Sequence, residues 1–133
     1  DKIDLEGASE TLAAQMLPII VKNKVSSQMA NIAQFAAFYP FIKFQNPELG
    51  KSAEEGFNWI MTSDNLKATE SITKILGQAK GQIGENPQVK MMISQMLKDG
   101  LNKKMDLLKQ NPQSSASINK QIDALNKAIE DFK

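Results

Sequence analysis

Apolar and charged positions are distributed unevenly along this chain. Residues 11–42 carry two charges, Lys22 and Lys24, whereas the 91 residues after them carry 24. Within the charge-poor stretch Val25, Met29, Ile32, Ala36 and Tyr39 recur at steps of 4, 3, 4 and 3, the spacing that gathers side chains on one face of an α-helix. A helix that is apolar around most of its circumference belongs inside a bundle. The pattern therefore predicts a buried central helix over about 19–39. Pro18 is expected to kink or restart it, and Pro40 to stop it near Phe38.

The remaining segments alternate apolar stripes with turn signals. Three Asn-Pro pairs, Asn46-Pro47, Asn86-Pro87 and Asn111-Pro112, read as helix starts or interhelical turns, because Asn caps a helix well and Pro suits its first position. Ser52-Ala-Glu-Glu55 matches a capping box and predicts a short helix carrying Phe57, Trp59, Ile60 and Met61. Thr62 to Asn65 reads as a turn and a cap. Leu66, Ile72, Ile75, Leu76, Ala79 and Ile83 form the next apolar face, which Gly77, Gly81 and Gly84 are expected to weaken and end. Val89, Ile93, Met96, Leu97, Gly100, Leu101 and Leu108 form one stripe after Asn86-Pro87, with Lys98, Lys103 and Asp106 off it. Ile118, Ile122, Leu125, Ile129 and Phe132 follow seam spacing in the last helix. No stretch alternates as a strand does. The expectation is an all-α, single-domain bundle of five or six helices over residues 9–133, after a poorly ordered lead-in at 1–8.

Composition narrows the chemistry. The chain has 133 residues and a formal net charge of +1, enough length for a core without disulfides and too little charge to imply a polyanionic partner such as nucleic acid. It has no Cys, His or Arg, and all sixteen cations are Lys. A genome biased toward Lys, Asn and Ile would give this composition. Whatever its origin, it removes thiolate nucleophiles, imidazole bases and ligands, and the bidentate guanidinium fork. No carboxylate spacing resembles an EF-hand, so no metal or other cofactor is expected. The longest uncharged run, Val25 to Ile42, is interrupted by polar residues and by Pro40, too broken for a transmembrane span. Because it begins at Asp1 rather than Met, the sequence reads as a mature secreted or periplasmic chain or as an excised piece of a longer one.

Short motif matches do not assemble into a catalytic site. Ser71-Ile-Thr-Lys74 and Ser63-Asp-Asn65 fit the S-x-x-K and S-D-N patterns of serine β-lactamases and penicillin-binding proteins. Their order is reversed, Lys-Thr-Gly is missing, and Ser117-Ile-Asn-Lys120 matches the same pattern by chance. Gly81-Gln-Ile-Gly84 resembles a KH-domain loop, but no strands accompany it. Lys90, Lys98, Lys103, Lys104 and Lys109 spread around their helix and read as a solvated face.

Seven methionines and the aromatic segment at 32–44 are the more specific signals. Met suits irregular gaps and adaptable contact surfaces. Adjacent helical residues point about 100° apart, so one of Met91 and Met92 is expected to leave the core stripe. The expected function is noncatalytic: binding of a partner protein through Phe35, Phe38, Tyr39, Phe41, Phe44, Trp59, Met61, Met92 and Met96, with a homodimer as one form of it. The alternative is a carrier in which the same side chains line a cavity for a lipid-like or other apolar small molecule. An enzyme would need converging Lys and carboxylate groups in a cleft and a strongly perturbed pKa.

Overall fold

The computed structural model describes residues 18–24, 26–37, 39, 46–83 and 86–132. The proposed lead-in at 1–8, the start of the proposed bundle at residue 9, and Phe38, Phe41 and Phe44 lie outside them. The chain folds as an all-α bundle, with no strand among the described residues. A helical segment at 18–22 and a 3-10 turn at Ser26–Gln28 precede helix α1, Met29–Ala37. Helix α2 spans Pro47–Met61, α3 Leu66–Ile83, α4 Pro87–Gln110 and α5 Ser115–Asp131. None of these helices is long and apolar enough to cross a membrane.

Two of the three Asn-Pro pairs start α-helices as expected. The Asn46 carboxamide oxygen accepts from the Leu49 amide at 3.1 Å. That of Asn86 accepts from the amides of Gln88 and Val89 at 3.0 and 3.4 Å. Each cap satisfies amides that lack an intrahelical partner. The third pair opens only the 3-10 turn Pro112–Ser114. Because the Asn46 cap acts first, α2 starts well before Ser52, and the expected capping box is a misreading. Ser52 lies inside the helix and is buried. Asn65 caps α3 through the Ala68 amide at 2.9 Å. Gly77 and Gly81 lie inside α3, which runs on to Ile83, and a Cβ at either would meet nothing within 4 Å.

The charge-poor segment is buried, but it is not one rod. Asn23 and Lys24 form a turn in which the Asn23 side chain donates to the Ile19 carbonyl at 2.8 Å. Lys24 takes φ 49°, the left-handed conformation common just past a helix end. The 3-10 turn then re-establishes the same inward face. Ile20, Met29, Ile32, Ala33, Ala36 and Ala37 consequently all reach the core, as their spacing requires.

The five helices close a circuit: α1 packs on α2 and α3, α3 on α5, α5 on α4, and α4 on α2. Two glycines allow close approach at helix contacts. A Cβ on Gly56 would stand 2.7 Å from Ile32 Cγ2, and one on Gly100 would stand 2.7 Å from Met61 Sδ and 3.1 Å from Phe57 Cζ. The core around these contacts is apolar and filled by Ile32, Ala53, Phe57, Ile60, Met61, Ile72, Leu76, Ile93 and Leu97.

Candidate functional site

Three polar side chains occupy core positions on three different helices. Thr69 of α3, Lys104 of α4 and Gln121 of α5 have no solvent exposure. The Lys104 ammonium donates to the Ile60 carbonyl at 2.8 Å, to the Ser63 carbonyl and to Gln121 Oε1. An ammonium has three N–H groups, and these three acceptors use all of them. Gln121 passes the interaction on: its Nε2 donates to Asp64 Oδ1 at 2.7 Å, and Ser117 Oγ donates to the same oxygen at 2.8 Å. The amide thus connects a buried cation to a surface carboxylate.

Burial depresses the Lys104 pKa to about 8, partly offset by the nearby Asp64 charge. For Asp64 partial desolvation acts upward. Hydrogen bonds from Ser117, Gln121 and Ser114 and the Lys104 charge outweigh it, so the net shift is downward. This Lys–carboxylate pair meets two of the conditions an enzyme would require. It fails the third, since Lys104 opens onto no surface and its N–H groups are all engaged.

The cluster instead fixes the end of α2. The last carbonyls of a helix lack intrahelical partners and carry partial negative charge. Here Lys104 takes the Ile60 carbonyl, Thr62 Oγ1 the Asn58 carbonyl at 2.8 Å, and Ser63 Oγ the Trp59 carbonyl at 2.6 Å. Neighbouring Lys103 holds the Asn58 side-chain oxygen at 2.9 Å. The expectation of a solvated Lys103-Lys104 face is therefore corrected: Lys104 is wholly buried and Lys103 half-buried. The spacing Ile93, Leu97, Gly100, Lys104 was the available signal, since it puts Lys104 on the core stripe.

The anticipated contact residues fall into three groups. Met61, Met96 and Trp59 are core residues, at 0, 2 and 7 % exposure. Phe35, Tyr39 and Met92 are half-buried, with Phe35 and Tyr39 packed against the core. The Tyr39 ring lies 5.7 Å from that of Phe57 at a tilt of 58°, and its hydroxyl pKa is raised by burial, then by Glu54 and Asp99. Phe38, Phe41 and Phe44 lie outside the described residues. Of the adjacent pair Met91 and Met92, it is Met91 that leaves the core, at 71 % exposure; Met105, at 44 %, was not singled out by the pattern.

Two open grooves border these features. One, of about 760 Å³, runs along the outer face of α2 and is lined by Glu48, Lys51, Glu55 and Trp59, with Lys22 and Lys24 opposite. The Lys24 ammonium sits 5.5 Å from the Trp59 ring centroid, within cation–π range. The second, of about 420 Å³, lies where α4 begins and α5 ends, lined by Pro87, Lys90, Met91, Gln95, Lys98 and Phe132. Its charged lining is cationic only, whereas the first mixes both signs. No group of three or more acidic side chains suited to a metal ion occurs among the described residues. No family model, curated protein or solved structure matches this chain.

Proposed function

We propose that this chain is a noncatalytic helical module that binds a partner protein through the outer face of α4. The observation that carries the reading is Met91, a large flexible apolar side chain left 71 % exposed beside a groove. Met105 is exposed on the same helix. Fourteen residues separate the two, which places them within about 40° on the helical wheel. Exposed Met in such a position suits an adaptable contact surface. The carrier reading draws less support, because Met61 and Met96 are members of the buried core cluster.

The reading is tested by placing a photo-crosslinking side chain at Met91 or, as a control, at exposed Lys67 on α3. Each protein is irradiated in an extract of the source cells. The expected result is one protein adduct from the Met91 position, competed by unlabelled protein and missing from the Lys67 position. Equal labelling from both positions would overturn the proposal. So would native mass spectrometry that finds a lipid-sized mass on the purified protein, removable by organic extraction.

A further inference from the structure

The groove at the start of α4 has a composition that specifies its partner more closely, on the reading that this face is a contact surface. We infer that it receives a partner segment carrying two carboxylates about two helical turns apart, with an apolar side chain between them. Lys90 and Lys98 are its charged lining residues, and Met91 and Phe132 supply apolar surface between them. Phe132 is 2 % exposed and forms floor, whereas Met91 stands out into solvent. Eight residues separate the two lysines, which sets them about 12 Å apart along the helix axis.

Neither ammonium has a hydrogen-bond or ion-pair partner among the described residues. The nearest acid on the helix is Asp99, and its carboxylate accepts from the Gln95 side chain at 3.2 Å. Asp131, next to Phe132, lines a different groove with Glu70, Lys74 and Lys127. The amides at the α4 start are capped by Asn86, so they add no anion site of their own. The attraction comes from two lysines whose backbone positions are two turns apart, and a segment lying along the groove can give each its own carboxylate. A helical segment with acids eight residues apart matches that spacing, and so does an extended one with acids four apart.

Charge complementarity of this kind sets partner choice and association rate more than bulk affinity. The lining therefore discriminates among partners, while Met91 adapts to whatever apolar side chain is presented.

The test uses a fluorescent helical peptide with two glutamates eight residues apart and leucines between them. Its twins carry glutamine or lysine at the two positions. The expected result is binding of the glutamate peptide about tenfold or more tighter than the glutamine peptide, with the preference lost in moderate salt. In the K90E/K98E variant the preference should pass to the lysine peptide. Lys98 is exposed and Lys90 half-buried, and circular dichroism with the milder K90Q/K98Q pair checks that the fold persists. Equal affinity for the three peptides would overturn the inference. So would sedimentation of the protein with phosphatidylserine-containing vesicles that is lost in K90E/K98E, since the lysines would then serve a membrane. Selective crosslinking at Met91 to a segment without carboxylates would overturn this inference and leave the contact-surface reading standing. Absence of selective crosslinking at Met91 would remove both.

Discussion

The α1–α2 contact and the centre of the α3–α4–α5 side fill the same helical spacing in opposite ways. At the first, Ile32 fits against Gly56, and the side-chain atoms nearest that contact are the methyl groups of Ile32 and Val21. At the second, Thr69, Lys104 and Gln121 take positions where a stripe would ordinarily place Leu or Ile. The apolar contact is non-directional and tolerates small shifts so long as volume is conserved. The polar cluster is directional. It fixes the height of α4 against the end of α2 and the rotation of α5 about its own axis, because each hydrogen bond needs its partner in one place. The bundle thus obtains close packing from one region and register from the other.

That contrast explains what was legible in the sequence. The all-α class, the caps at Asn46, Asn65 and Asn86, and the buried positions of the charge-poor segment follow from spacing and local chemistry. Gln121 does not, because Ile122 beside it makes an equally good seam by hydropathy; the seam runs instead through Ile118, Gln121, Leu125 and Ala128. Lys104 was misread because an isolated lysine in a stripe is normally solvated, and its partners lie far away in sequence: Ile60, Ser63 and Gln121. The break at Asn23-Lys24 was missed because a 3-10 turn preserved the apolar phase on either side. Among candidate contact residues, Met and Trp report apolarity but not which side of the boundary they occupy. Only Met91, through its adjacency to Met92, carried a hint that it leaves the core.

The largest expected effect breaks the apolar side. Ile32→Asp puts an unpaired carboxylate where exposure is 0 %, at the close contact with Gly56. Such a charge costs several kcal/mol, comparable to the whole stability of a small domain. Loss of a cooperative thermal transition by circular dichroism is expected. A melt like that of the wild type would refute the claim that this segment is a core element.

The next effect distinguishes the polar side by pH. A lysine whose folded pKa lies below its unfolded value binds fewer protons when folded, so its contribution to stability rises with pH between the two values. For Lys104 that window runs from about 8 to 10.5, and the full contribution is about 3 kcal/mol. It is complete above the upper value and lost as pH falls through the lower one. Tyr39 works in the opposite direction above pH 10, because its raised pKa favours the protonated folded form. Denaturant titrations of wild type and Lys104→Met, compared at each pH, isolate the lysine. The difference should shift in favour of the wild type as pH climbs from 8 toward 10.5; parallel curves would mean that folding leaves the Lys104 pKa where it is in the unfolded chain.

Gln121→Leu tests the relay. It removes the acceptor of Lys104 and the donor to Asp64, leaving a buried cation less compensated, at an expected cost of about 2 kcal/mol. Lys104→Met should relieve part of that loss, because removing both members of a buried polar pair is gentler than removing one. A double variant less stable than Gln121→Leu alone would argue that the two residues act independently.

The smallest effect asks where one proton goes. Thr69 Oγ1 lies 2.9 Å from the Asn65 carbonyl and 3.2 Å from Gln121 Oε1, and a hydroxyl has a single proton to donate. The shorter contact is the i to i−4 bond common for Thr in helices, and Gln121 Oε1 already accepts from a cation. The proton is therefore assigned to Asn65. On that assignment Thr69→Val costs about 1 kcal/mol or less and leaves the Lys104 pH window where it was. If the proton instead lies toward Gln121, the amide oxygen is relieved of a competing donor in Thr69→Val. Lys104 is then held more tightly in its charged form, and the lower edge of the window moves up. The shift of that edge, read from the same titrations, decides whether Thr69 belongs to the polar cluster or only to the first turn of α3.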